Sequence, residues 1–306
     1  MKILFITLSN IGDCILTLPV LDALIDKYPD AALDVLSGPR VKEIFINNSF
    51  IKKSIVYNKQ SSLREKLGLV LQLYKEGYDL IIDLKHTMLP FLLRARLGTR
   101  LFNPPKNILH ARKRNFARLK NDLGLDAKFT EKHFFNKSKT ALDDFGKYVV
   151  VAAGARGILK RWNKEEFAKL SKWIIDDYGL NIVLVGDNDD KVITDSIASA
   201  IGKGVFNLAG KTDLAGLSDI IRGSSLIISC DSASLHLASY LNRPIIAVFT
   251  ATDPKKYGPW SDENIVVCAD IDCAPCEKAE CERGSFECIN SITADAVYRI
   301  VKKILK

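Results

Sequence analysis

The sequence predicts an α/β protein built from two doubly wound parallel sheets, each covered by helices. Three observations carry that expectation. Short apolar strands alternate with helical segments along almost the whole chain, the pattern of parallel sheets with crossover helices. The alternation lapses over residues 125–147 and restarts with a fresh apolar run at Tyr148. With 306 residues, 47% of them hydrophobic, the chain is long enough for two cores. The expected division is into Rossmann-like domains of residues 1–145 and 146–306, facing a cleft.

Residues 2–8 read as the first buried strand. Ser9-Asn10-Ile11-Gly12-Asp13 then turns the chain into a helix running to about Lys27, bent or delayed by Pro19. This turn is not a GxGxxG, and no acidic residue closes a second strand, so a nicotinamide-binding reading is weak. Strand 33–37 is broken by Gly38-Pro39. Strand 54–57, helix 61–76, strand 80–83 and helix 88–97 continue the alternation.

Beyond the lapse, strand 148–152 ends in Ala153-Gly154-Ala155-Arg156-Gly157, followed by Lys160-Arg161-Trp162 and a helix from about Lys164. Strand 181–185, a helix from about Asp190, a turn at 208–212 and helix 214–221 come next. Residues 226–229 form a buried strand, Asp231-Ser232-Ala233-Ser234 starts a short helix, and 245–249 is a further strand. An amphipathic helix over 293–305 closes the chain. Ligands of open α/β sheets sit beyond the carboxyl ends of strands, where helix N-termini offer N–H groups to anions. The segment around Asp231 offers two such strand ends, so it reads as half of a site for a phosphate-containing ligand.

No apolar run reaches the roughly 20 residues that span a bilayer. The apolar N-terminal run breaks at Asn10-Ile11-Gly12-Asp13, unlike a secretory signal, so the expected location is cytoplasmic. The net charge of +8 is uneven: residues 1–150 carry 25 Lys/Arg against 15 Asp/Glu, and the remainder is close to neutral. The first half is therefore expected to meet something anionic. Residues 94–120 hold nine basic and no acidic side chains, among them Arg94, Arg96, Arg112 and Arg114. A solvated helix face is the plain reading. Nucleic acid is the obvious anionic partner, but the stretch lacks the interleaved aromatics of RNA-binding platforms. An anionic acceptor at a membrane surface fits as well.

Of seven cysteines, Cys268, Cys273, Cys276, Cys281 and Cys288 crowd into 21 residues. Four could hold zinc tetrahedrally, but packed or redox-pairing thiols are the favoured reading, and no metal is expected. Cys14 and Cys230 read as small buried side chains.

Four separated signatures give the chain a specific resemblance. They are ILFITLSNIGDCILTLPVLDAL with Gly12-Asp13 and Thr17-Leu18-Pro19; Gly154 with Lys160-Arg161-Trp162; Asn207-Leu208-Ala209-Gly210-Lys211-Thr212; and Asp231 to His236, with Pro244, Thr252-Asp253-Pro254 and Gly258-Pro259-Trp260. Over essentially its whole length the chain resembles glycosyltransferase family 9, the ADP-heptose:lipopolysaccharide heptosyltransferases. That resemblance implies the GT-B fold, a nucleotide-sugar donor, inversion at the anomeric carbon and no required metal or cofactor. With the charge excess of the first half, the reading puts the donor in the second domain and an anionic glycolipid or oligosaccharide acceptor in the basic first domain, at Arg94, Arg96, Arg112 and Arg114. The expected protein is a monomer, soluble or peripheral on the inner face of the cytoplasmic membrane, with no nucleic-acid partner. A GT-B epimerase or hydrolase, or a transferase using another nucleotide sugar, is the alternative.

Residue by residue, the resemblance places the catalytic base at Asp13. The competing reading is an N-cap aspartate, whose helix N–H bonds would make it a poor base. Lys160, in a loop beyond Gly154, can reach the leaving phosphates, whose developing charge needs a partner. Asp231, Ser232, Ala233 and His236 fall in the donor site. The family usually carries Asp-Thr-Gly at the first three of these, so Ser232 and Ala233 are departures, and Ala233 adds a methyl where a backbone should approach phosphate. Thr212 matches a position near the nucleobase, and Asp190 an acidic residue near the ribose, with Asp187 and Asp189 competing for that role.

Overall fold

The structure, a computed structural model, describes residues 1–7, 10–46, 48–99, 108, 110–125, 132–135 and 145–305. The chain divides into two units, Met1–Asn136 and Lys137–Lys306.

In the first unit β1 (Lys2–Thr7) leads through α1 (Ile11–Ile15) and α2 (Leu18–Lys27) to β2 (Ala32–Ser37) and β3 (Lys53–Val56). Helix α3 (Leu63–Glu76), β4 (Leu80–Asp83), α4 (Leu89–Leu92), β5 (Leu97–Gly98) and α5 (Ala111–Leu123) follow. The strands form one sheet in the order β3-β2-β1-β4-β5, and every described pairing is parallel. Leu4 and Ile6 of β1 pack with Leu36, Leu73 and Ile81 in a core over one face, while Ile3 and Phe5 are buried too. Burial on both faces is why these strands read as continuous apolar runs.

Two expectations change here. The first helix is two: α1 ends at Ile15, and Pro19 sits in the first turn of α2, where its missing N–H costs nothing. Helix 88–97 shrinks to Leu89–Leu92, because Arg94 takes a left-handed φ of 48° and Leu97–Gly98 pairs instead with Leu80–Ile81 as β5. Pairing with the sheet outweighs the helical spacing of the leucines.

The second unit runs β6 (Tyr148–Ala152), α6 (Lys164–Tyr178), β7 (Asn181–Leu184), α7 (Lys191–Ile201), β8 (Val205–Asn207), α8 (Leu214–Gly223) and β9 (Leu226–Cys230). It continues with α9 (Ala233–Tyr240), β10 (Ile245–Phe249), α10 (Pro254–Tyr257), β11 (Asn264–Cys268), α11 (Glu287–Asn290) and α12 (Ala294–Ile304). Its parallel sheet has the order β11-β10-β9-β6-β7-β8. Val149, Val151, Ile182, Leu184, Ile228 and Val248 share a core with Phe167 and Ile174 of α6 and Val297 and Val301 of α12. The short edge strands β8 and β11 are additions to the sequence reading, although the run Asn264-Ile265-Val266-Val267 carried the signal for β11. Among the described residues, no helix is long and apolar enough to cross a membrane.

Candidate functional site

In the second unit the strand order reverses between β6 and β9, so the carboxyl ends of these two strands lie side by side. A crevice at such a reversal is where doubly wound sheets bind ligands. Asp231 follows β9 directly, and its side chain is only 4% exposed. A carboxylate this buried is costly unless paired. Lys160 Nζ, carried by the 3₁₀ turn Ile158–Lys160, donates to Asp231 Oδ2 at 2.7 Å, and His236 Nε2 stands 3.9 Å from Oδ1. The lysine is 35% exposed, so it keeps a face toward solvent while one carboxylate oxygen fixes its position. The His236 ring stacks on Trp260 at 5.9 Å, and the Lys160 ammonium lies 5.9 Å from the centroid of Tyr257.

Helix α9 begins at Ala233 with Ser232 as its N-cap, but the cap side chain makes no bond to the helix; Ser232 Oγ pairs with Ser229 Oγ at 3.1 Å. The N–H groups of Ala233, Ser234 and Leu235 meet no acceptor among the described residues. An open helix N-terminus beside a lysine is suited to an anion.

Gly154, just beyond β6, explains itself through Asp190. A Cβ on Gly154 would fall 2.0 Å from Asp190 Cγ, and one on Gly186 would fall 2.8 Å from Asp190 Cβ. The aspartate fits only because both positions lack a side chain. Asp190 Oδ2 accepts the Asp187 N–H at 3.1 Å, and Arg161 Nη2 approaches Oδ1 at 3.8 Å. Burial pushes the Asp190 carboxyl above its ordinary value, opposed in part by that N–H. Asp187 caps the turn and, like Asp189, is exposed, so Asp190 is the acid that lies against Gly154. The turn after β8 packs here too, since a Cβ on Gly210 would sit 2.3 Å from Asn188 Oδ1; Thr212 follows it, half-buried.

Cys230 joins the two groups. Its thiol feels Asp231, Arg161 and Asp190, and burial pushes it up to about 12, which makes it unreactive. Trp162 is structural: its N–H reaches Cys230 Sγ at 3.2 Å, and its indole N–H reaches the Ile292 carbonyl at 2.8 Å. The structure thus gathers Lys160, Asp231, Ser232, Ala233 and His236 around one strand end, with Gly154 and Asp190 beside them.

In the first unit Asp13 sits in the first turn of α1, whose N-cap is Asn10. Its carboxylate accepts no hydrogen bond from any described residue, so the capping role that would compete with catalysis is not taken up. The sheet order reverses between β1 and β4, and Lys85, two residues beyond the end of β4, is the cation Asp13 faces. Burial pushes the Lys85 ammonium below its ordinary value, while Asp13, Cys14 and Asp83 hold it up. Asp83 shapes that loop by accepting the Lys85 N–H at 2.8 Å and the Thr87 hydroxyl at 2.8 Å. Lys85 is the residue that sequence reasoning missed; its signal is a lysine just past a buried strand at the reversal point. Cys14, pushed up to about 12 by burial, is inert packing.

Of the expected acceptor contacts, Arg94 and Arg96 are exposed near β5, and Arg112 and Arg114 are half-buried on α5. Burial lowers the Arg112 guanidinium to about 10. Helix α5 is tied to the segment after Asp13 by Asn115 Nδ2, which donates to the Leu16 carbonyl at 3.1 Å. Arg118, in the same basic stretch, is instead buried against Asp122 at 3.4 Å and His86 at 3.0 Å, so it belongs to the scaffold. Arg100 and Lys106 of that stretch lie outside the described residues.

Two doubly wound parallel sheets in one chain, the second with an open helix N-terminus and a lysine–aspartate pair at a strand end, have the architecture of the GT-B fold. The chain belongs to glycosyltransferase family 9, the heptosyltransferases, whose family model matches residues 99–286. It is 30% identical over 291 residues to lipopolysaccharide heptosyltransferase 3 of Escherichia coli K12, covering 83% of this chain and 84% of that one. Among solved structures it resembles E. coli ADP-heptose lipopolysaccharide heptosyltransferase II, with a TM-score of 0.79, 20% identity and coverage of 100% and 98%. E. coli heptosyltransferase WaaC with ADP gives a TM-score of 0.78, 21% identity and coverage of 99% and 100%.

Proposed function

We propose that the chain transfers a heptose from ADP-heptose to an anionic acceptor of the lipopolysaccharide core, with inversion at the anomeric carbon. The observation that carries this reading is the Lys160–Asp231–His236 set beside the open N-terminus of α9. ADP is the nucleotide named with the similar WaaC structure, and this set is suited to its diphosphate. Lys160, held by Asp231, neutralises charge that builds on the leaving phosphate as the glycosidic bond breaks. The N–H groups of α9 and the His236 ring hold the remaining oxygens, and Asp190 and Thr212 stand where ribose and base would lie. The positive charge comes from protein groups, so the transfer step needs no divalent metal.

Asp13 removes the acceptor hydroxyl proton while that oxygen attacks the anomeric carbon opposite the departing ADP. One displacement inverts the configuration. Its carboxylate takes up no helix-capping bond, and Lys85 lies across from it. Arg94, Arg96, Arg112 and Arg114 supply cations for acceptor phosphates and carboxylates. Helix α3 turns Leu63, Leu67, Leu71 and Tyr74 outward beside Arg64 and Lys66, a face suited to an anionic lipid surface.

Thermal shift against ADP, UDP and GDP tests the donor assignment, because stabilisation follows affinity. ADP is expected to raise the melting temperature most. A larger rise with UDP or GDP rules out ADP-heptose as the donor. The product's anomeric configuration, read by NMR, tests inversion.

A further inference from the structure

The segment after β11 does something the transfer does not explain. Residues 269–286 contain no helix or strand, yet the chain here is tightly bent, with left-handed φ values at Glu277 (55°), Gly284 (67°) and Phe286 (51°). For Glu277 and Phe286 such angles are unfavourable, and ordering a segment of this length also gives up backbone entropy. Little apolar burial is available to offset this, since nearly all of these residues are exposed or half-buried.

What the segment contains is three cysteines, and with Cys288 of α11 they surround one space. Cys273, Cys276, Cys281 and Cys288, spaced C-x2-C-x4-C-x6-C, line a single cavity of about 320 Å³. Cys288 is buried, and Cys273, Cys276 and Cys281 are half-buried around the same space.

We propose that Cys273, Cys276, Cys281 and Cys288 form a structural four-thiolate site for one divalent ion, zinc or ferrous iron. Thiolate ligands in this number select those metals and leave no open position for substrate. Among the described residues no three or more His, Cys, Asp or Glu side chains are yet arranged to hold an ion. The thiols therefore converge on loading, and each loses its proton as the metal binds. This departs from the packed or redox-pairing thiols expected from sequence.

The site has a bearing on the donor residues. Leu159 and Ala251 line the same cavity; Leu159 precedes Lys160, and its carbonyl accepts from the Thr250 hydroxyl. The Glu277 N–H donates to the Ala251 carbonyl at 2.8 Å, and its carboxylate pairs with Lys256 of α10, the helix that carries Tyr257. A metal here braces the turn that presents Lys160.

The test uses the full chain, reduced, stripped with a chelator and titrated with Zn²⁺ alone and, anaerobically, with Fe²⁺ alone. The expected result is one ion of at least one metal per chain, with four thiols shielded from a disulfide reagent and a higher melting temperature. Cys276→Ser and Cys281→Ser should lose the uptake, and Cys268→Ser, outside the cavity, should keep it. Thiol shielding in the unmodified chain gives a reading even where a serine variant fails to fold. Neither metal binding, equal shielding loss in Cys268→Ser, or disulfides among the four cysteines in freshly purified protein would overturn the proposal.

Discussion

Lys85 and Gly154 show how single positions bear on the proposed chemistry. Lys85→Met removes the cation that Asp13 faces, so turnover at neutral pH should fall about 10-fold or more while affinity for ADP stays unchanged. Undiminished turnover would mean that Lys85 only packs the loop. Gly154→Ala forces a methyl into the space of the Asp190 carboxylate, a clash that no small shift relieves. Overpacking of this kind costs about 1–3 kcal/mol, and ADP binding should weaken with it. In an Asp190→Ala background the same change should cost much less, which a melting-temperature comparison of the four proteins checks. The glycine itself was legible in the sequence as a motif letter. Its reason was not, because the clash is with a residue 36 positions later whose approach depends on the sheet.

Elements were legible in proportion to how much local pattern fixed them. Strands β1, β4, β6 and β9 are continuous apolar runs buried on both faces, and their limits match the pattern to within a residue. Helix α4 was over-read because four leucines and a proline look helical, while a two-residue edge strand leaves almost no pattern of its own. Helix α3 shows the opposite case. Its capping box at Ser62 and Glu65 and the left-handed Gly77 at its end define it locally, and Leu73 anchors it to the core. Its outward leucines stay largely open, being 74%, 56% and 61% exposed at Leu63, Leu67 and Leu71. If that face meets lipid, Leu67→Glu with Leu71→Glu should abolish sedimentation with anionic vesicles. Turnover of a water-soluble acceptor fragment should remain, and melting should shift little. Loss of turnover with the soluble fragment would assign the face to the acceptor instead.

Over the whole molecule, charge and chemistry are divided in the same way. The excess of basic residues lies in the first 150 positions, where Asp13, Lys85 and the arginines of α5 stand, while the site proposed for the donor in the second unit has one paired lysine and helix N–H groups. That division makes binding and chemistry separable by mutation. The most direct measurement compares the unmodified chain with Asp13→Asn, by calorimetry with ADP and by single-turnover transfer from ADP-heptose. The account predicts equal ADP affinity and a transfer rate lower by roughly 10²–10⁴-fold, the usual contribution of a positioned general base. Transfer at an undiminished rate in Asp13→Asn would contradict it.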